Sequence, residues 1–243
     1  GTLRKQGRMH PDVAAFANEM FYREEHLEPV PCKHQTDISL HYEQPSEDAL
    51  DDLLKQRRVA FFDCGNPSST QSPTSNPIEA RIVANLLSRI YRQYGAERFD
   101  AAKTVGIIVP YRNQIGMIRQ EIERLGIPTL QQISIDTVER YQGSQRDVII
   151  YSFTVQHRYQ LDFLTANCFV ENGRTIDRKL NVAMTRARKH LLLFGNPALL
   201  RENITFRQLL KFAKDKKCYF SPSLKDYIAG HFPLFPNQQV PGL

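Results

Sequence analysis

Five short apolar runs constrain this chain more than any other feature. They are RVAFFDC at 58–64, TVGIIVP at 104–110, ISID at 133–136, DVIIYSFT at 147–154 and HLLLFG at 190–195. Apolar side chains stand at successive positions with little alternation, so each extended segment needs cover on both faces. Helical patterns lie between them. PIEARIVANLLSRIYRQYG (77–95) opens on Pro at a first-turn position and closes on Gly. YRNQIGMIRQEIERLG (111–126) sets Ile115, Ile118, Ile122 and Leu125 at helical spacing and also closes on Gly. Strands alternating with helices of this length predict an α/β fold, a mostly parallel sheet with helices on both faces. Ligands of such sheets bind beyond the carboxyl ends of the strands.

The 243 residues, 41% hydrophobic and 24% charged, suffice for one large domain with its own core. We expect that domain to occupy 1–220. NPSSTQSPTSNP (66–77) reads as a mobile loop inside it, because the strand-helix alternation resumes beyond. The helical ITFRQLLKFAKDKK (204–217) precedes a tail, 221–243, in which Pro222, Pro233, Pro236 and Pro241 predict extended or partly disordered chain. Phe16, Phe21 and Tyr22 fall at near-helical spacing and are expected in the core.

Cys32, Cys64, Cys168 and Cys218 form no CxxC pair, which favours a reducing, intracellular setting: cytoplasmic, or nuclear in a eukaryote. His26, Cys32, His34 and His41 match no usual zinc spacing, so no metal ligands are assigned. No apolar run approaches a membrane span, and no signal-peptide core follows the start. The chain begins without Met, inside what reads as working sequence, as a domain cut from a longer chain would.

Charge is concentrated. The formal net charge is +6, while 174–190 alone holds six basic residues against one acid, and the first eleven residues add Arg4, Lys5 and Arg8. Within that basic stretch, LNVAMTRARK (180–189) reads as a helix with Leu180, Ala183, Met184 and Ala187 along one apolar stripe. Lys179 and Arg186 fall together on another face. A helix held against the sheet would fix Arg186 and point its guanidinium outward, as an arginine finger aimed at a γ-phosphate requires. A solvated surface arginine has the same local pattern.

The phosphate-binding loops are absent. There is no G-x-x-x-x-G-K-[ST], no G-x-G-x-x-G after a strand, and no nucleophile elbow. The chain alone is therefore not expected to be an enzyme.

LNVAMTRARK resembles motif VI of superfamily 1 helicases, and other motifs stand in the family's order. QGRMHPDVAAFANEMFY (6–22) resembles motif IV of the branch containing the nonsense-mediated-decay RNA helicase and the replication helicase-nuclease. DTVERYQGSQRDVII (136–150) resembles motif V. VGIIVPYRNQ (105–114) is similar to the strand and turn before a nucleic-acid-contacting helix, and NPIEARIV (76–83) to the family's N-x-x-E-A helix opening.

The resemblance implies the second RecA-like domain, of P-loop NTPase type, in an ATP-dependent helicase. ATP with Mg2+ would lie in the cleft with a first domain that carries the Walker motifs and holds most of the metal. Arg8 and Arg186 would be catalytic, stabilising charge on the γ-phosphate. Gln6, Arg8, Gly143, Gln145 and Arg186 would contact the nucleotide. Thr137, thought to precede a short helix, would meet single-stranded DNA or RNA with Pro110, Tyr111 and Gln114. The branch implies 5′-to-3′ movement. Two departures stand out: Gly7 replaces the usual Tyr that stacks on adenine, and Gln145 replaces Glu, keeping an acceptor oxygen without charge. The alternative is a non-catalytic nucleic-acid- or protein-binding module derived from this fold.

Overall fold

The structure, a computed structural model, describes residues 5–6, 10–20, 28–29, 40–65, 72–141, 145–165, 169–171, 174–176 and 178–221. Chain order begins β1 (Lys5–Gln6), α1 (Pro11–Met20), β2 (Glu28–Pro29), α2 (Ala49–Gln56), β3 (Val59–Asp63) and α3 (Pro77–Tyr94). It continues through β4 (Val105–Val109), α4 (Arg112–Arg124), a 3-10 turn (Pro128–Gln132), β5 (Ser134–Thr137), β6 (Arg146–Ser152) and α5 (Gln160–Thr165). β7 (Phe169–Glu171), β8 (Arg174–Ile176), α6 (Arg178–Arg186), β9 (Ala187–Gly195), α7 (Pro197–Leu200), α8 (Ile204–Asp215) and β10 (Tyr219–Phe220) complete it.

Six strands form one sheet in the order β10-β3-β9-β6-β4-β5, every pairing parallel. The lack of alternation in the apolar runs has a direct cause. Leu191 and Leu193 of β9 pack in one core with α1, α6 and α8, while Leu192 and Phe194 pack in a second with α2, α3 and α4. Each such leucine, fully buried, contributes roughly 1.5–3 kcal/mol.

Local signals set the helix ends. Asn76 accepts the Glu79 amide at 3.0 Å and Pro77 opens α3, which stops at Gly95 with φ 84. Asp48 caps α2 through the Asp51 amide, and its Leu50, Leu53 and Leu54 are buried. Phe16 of α1 is buried edge-on to Phe212; Phe21, Tyr22 and the tail beyond Ser221 lie outside the described residues. β10 joins the sheet beside β3, so the domain reaches at least Phe220.

Three expectations change. The helix through 180–189 ends at Arg186, and Ala187, Arg188 and Lys189 begin β9, because Ala187 pairs with Arg146 and His190 with Val148, which draws the two residues between them into the strand. Thr137 ends β5 and leads into a turn: its carbonyl accepts from Arg140 and Tyr141 at 3.1 and 2.9 Å, where a short helix was expected. Lys179 is not outward-facing beside Arg186. It is 3% exposed, pairs with Glu139 at 3.0 Å and sits 4.0 Å from the centre of the Phe163 ring.

Candidate functional site

Sheet register separates the candidate residues into two groups. Arg186 and Gln145 stand at the amino ends of β9 and β6, where Ala187 pairs with Arg146. Thr137 and Pro110 stand at the carboxyl ends of β5 and β4. Six residues of rise separate the two levels, about 20 Å along the strands.

At the amino end, the α6–β9 junction holds Arg186. Leu180, Ala183 and Met184 of α6 are buried in the core, so the helix axis has little freedom. Between Ala187 and His190, β9 carries one residue more than β6 does between Arg146 and Val148. This bulge re-aims the side chains that follow Arg186. Arg188 and Lys189 each lie 3.9 Å from Asp147, whose carboxylate also accepts from the Tyr94 hydroxyl at 3.3 Å.

Arg186 is half-buried and has no carboxylate partner among the described residues. Its Nε is buried and lacks a hydrogen-bond partner there. Gln145 donates its side-chain amide to the Thr185 carbonyl at 3.1 Å, one residue before Arg186. Its amide oxygen has no protein partner among the described residues.

Tyr141 closes this end from behind. Its ring lies on the sheet over Gly106, where a β-carbon would come 1.8 Å from the hydroxyl, so only Gly fits. Burial pushes the Tyr141 phenol up, opposed by the nearby charges of Arg146 and Arg186. The Arg146 guanidinium sits 5.8 Å from the ring centre. Arg8, Gly7 and Gly143 lie outside the described residues, as does the side chain of Gln6. His10, two residues along from Arg8, is anchored by its N–H to the Arg188 carbonyl at 2.5 Å.

At the carboxyl end, Tyr111 caps α4 and stacks on Phe163 of α5, ring centres 4.8 Å apart and planes at 18°. Pro110 is buried. Gln114 is fully buried: it accepts the Asn76 amide at 2.7 Å and donates to the Asn76 carbonyl at 3.2 Å, which pins α4 to the start of α3. Thr137 is buried, its N–H donating to Asp136 at 2.8 Å and its hydroxyl bonded to Glu139.

Two features here were not assigned to the site from sequence, although Glu79 is the acid of the N-x-x-E-A opening. Glu79 is buried in α3 and accepts from the Ser152 hydroxyl at 2.7 Å and the Thr154 amide at 2.6 Å. Burial pushes its carboxyl up to about 8. Thr154, a β-branched residue at φ 68, is held in that unfavourable conformation by the bond. Phe163 and Tyr159, 43% and 63% exposed, add aromatic surface beside Tyr111. Only the tertiary contact with Tyr111 distinguishes Phe163 from an ordinary helix residue.

A family model described as an AAA domain matches residues 1–198. Curated relatives agree in kind. The chain is 29% identical over 232 residues to the regulator of nonsense transcripts 1 homolog of Drosophila melanogaster, covering 92% of this chain and 18% of that protein. The homolog of the same name from Neurospora crassa is 27% identical over 222 residues, 89% of this chain and 18% of the relative. Helicase sen1 of Schizosaccharomyces pombe is 26% identical over 226 residues, 91% and 12% respectively. The chain belongs to the superfamily 1 helicases, as a second RecA-like domain.

This helicase domain spans less than a fifth of the length of these relatives. Among its described residues no helix is long and apolar enough to cross a membrane, and no cluster of metal-ligating side chains occurs. The buried thiols Cys64 and Cys218 are free, and burial raises both well above the usual thiol range.

Proposed function

We propose that this helicase domain supplies arginines to ATP bound against a first RecA-like domain of the same parent chain, and grips single-stranded DNA or RNA at its opposite end. The observation that carries this reading is Arg186, a guanidinium without a carboxylate partner among the described residues, on a rigid helix-strand junction with an orphaned Nε. Its charge would be stronger in effect on the transition state than on the ground state, because charge spreads over phosphate oxygens as the reaction proceeds. Arg8 would act beside it. Gln6, Gly143 and Gln145 would line the nucleotide side.

The residues present fit a triphosphate: Arg186 has no carboxylate partner among the described residues, and the carboxylate of Asp147, at the same end of the sheet, is engaged by Tyr94, Arg188 and Lys189. Mg-ATP, when bound, supplies the phosphoanhydride whose hydrolysis drives movement, its metal held mainly by the first domain. The chain's own part is to hold positive charge at the γ-phosphate and to exclude water behind it with Tyr141.

At the carboxyl end, Tyr111 would stack a base and the Pro110 turn would face the strand. Gln114, buried behind them, would fix the start of α4. Thr137 would reach a phosphate by exchanging its Glu139 bond. Closure of the two domains on ATP would then be coupled to strand affinity.

The test is nucleic-acid-stimulated ATP hydrolysis by the parent protein, wild type against Arg186→Ala. Loss of most turnover supports the finger; turnover at the wild-type rate removes it. A parent with no hydrolysis in either form would instead be a binding module without catalysis. The chain alone should hydrolyse no ATP.

A further inference from the structure

A second concave surface involves none of the residues assigned above. A cleft of about 530 Å³ opens at the carboxyl ends of β3, β9 and β10, against α8. Arg201, Arg207, Lys211 and Lys214 line it, all exposed, against the carboxylates of Asp63 and Asp215. None of the four cations has a carboxylate partner among the described residues, whereas all three arginines of α3 do. Arg207 is aimed by its own Nε bond to the Arg201 carbonyl at 2.8 Å, and Lys214 lies over the Tyr219 ring at 4.9 Å. The Asp63 carboxylate is already engaged. Its oxygens accept from Tyr219 and Ser221 hydroxyls at 2.8 and 3.2 Å and from the Gly65 amide at 2.8 Å.

The cleft shares its edge of the sheet with the proposed strand-binding end. It occupies the same carboxyl edge of the sheet as Pro110 and Tyr111, three inter-strand steps from β4 to β3, about 14 Å. Physical contact bridges the gap: Arg158, beside exposed Tyr159, pairs with Glu202, the neighbour of Arg201. Aromatic surface at Tyr111, Phe163 and Tyr159 and the cationic surface of the cleft thus share one edge of the sheet, linked through the Arg158–Glu202 pair. Stacking groups followed by unpaired cations is the pattern that tracks a single strand, bases on rings and phosphates on charges.

We propose that this basic cleft is a second phosphate-binding stretch of the nucleic-acid track, taking the backbone of a strand that has already passed Tyr111. The assignment rests on the strand-binding reading given above, and names where the strand goes next. Occupancy by an isolated nucleotide would not call for an aromatic patch along the same sheet edge, and an acidic peptide would make no use of the rings.

The experiment uses the 243-residue chain and fluorescein-labelled oligothymidylates of 6 and 20 nucleotides, read by anisotropy from 50 to 200 mM salt. Arg207→Gln with Lys211→Gln removes two exposed charges, and a melting temperature within about 2 °C of wild type certifies the fold. For the 20-mer we expect affinity to fall about 10-fold at 50 mM salt, with the slope of log K against log salt shallower by about 1.4. Binding of the 6-mer should be unchanged, whereas Tyr111→Ala should weaken both lengths. Unchanged 20-mer affinity and slope in the double variant, with Tyr111→Ala still deleterious, would overturn the cleft and leave the strand-binding reading intact. A wild-type chain that binds neither oligonucleotide would overturn both. Displacement of the 20-mer by poly-glutamate of matched charge, lost in the same double variant, would reassign the cleft to acidic chains.

Discussion

The Gln145 side-chain amide donates to the Thr185 carbonyl at 3.1 Å, tying the start of β6 to the last turn of α6 just before Arg186. A residue that the helicase resemblance places at the nucleotide is thus also a brace for the arginine beside it. A carboxylate at 145 has no proton to donate to that carbonyl. In the parent, Gln145→Ala should lower kcat for nucleic-acid-stimulated ATP hydrolysis about 5-fold, the worth of one hydrogen bond, with KM for ATP little changed. We expect Gln145→Glu to fall equally. Full activity in Gln145→Glu would show that the acceptor oxygen, and so direct nucleotide contact, is what matters.

Arg186→Ala should reduce the same turnover by about 10³-fold or more, the scale of a lost arginine finger. Melting temperature should barely move, since the guanidinium makes no ion pair with a described carboxylate. Arg186→Lys should restore little, because a point charge does not reproduce the planar fork. Steady-state kinetics with parallel thermal melts would decide it.

Gly106→Ala should destabilise the domain by about 3 kcal/mol, since the added carbon would meet the Tyr141 hydroxyl at 1.8 Å and its ring carbon at 2.8 Å. Tyr141→Phe alone should be neutral or stabilising by about 1 kcal/mol, because that buried hydroxyl has no partner among the described residues. Combining the two should recover part of the Gly106→Ala loss. Urea unfolding of the four proteins gives the coupling, and additive effects would remove the contact as the cause.

Glu79 should leave a pH signature. Its carboxyl is raised to about 8 by burial in the folded chain, above its ordinary value of 4.5. The folded state therefore keeps a proton that the unfolded state has lost, so this contribution is full below pH 4.5 and is lost as pH rises toward 8. Stability should fall between pH 6.5 and 8 by up to about 1.4 kcal/mol per unit. Glu79→Gln, which keeps an acceptor for Ser152 and Thr154, should flatten that slope in thermal melts. An unchanged slope would place the proton elsewhere.

His190 acts in the opposite direction. Burial lowers it to about 3, helped by the charges of Arg58 and His10. The folded chain holds it neutral, so its contribution is present above pH 6.5 and is lost as pH falls below. His190→Gln should reduce the acid sensitivity of the melting temperature between pH 6.5 and 4.5.

Much of this architecture was legible because burial on two faces leaves a one-dimensional trace. Leu191 to Phe194 are all apolar since both sides of β9 are covered, and Pro77, Gly95 and the Asn76 cap mark α3 by backbone constraints that act within one turn. Even α2, which no apolar run announces, has its Asp48 cap and three leucines at helical spacing. The motif order likewise pointed to the helicase family before any coordinate. What sequence cannot hold is the environment that distant segments create for one another. Gln114 is buried because Asn76 comes to meet it, and Lys179 because Glu139 and Phe163 do. Arg188 and Lys189 lie on a strand because their neighbours Ala187 and His190 pair with β6, which the local helical pattern does not foresee. The order of apolar and turn residues along the chain thus determined which elements form and that they stack as a parallel sheet. Packing decided which polar groups are spent inside the fold and which, Arg186 among them, stay available, because hydrogen-bond partners many residues apart meet only once the layers close.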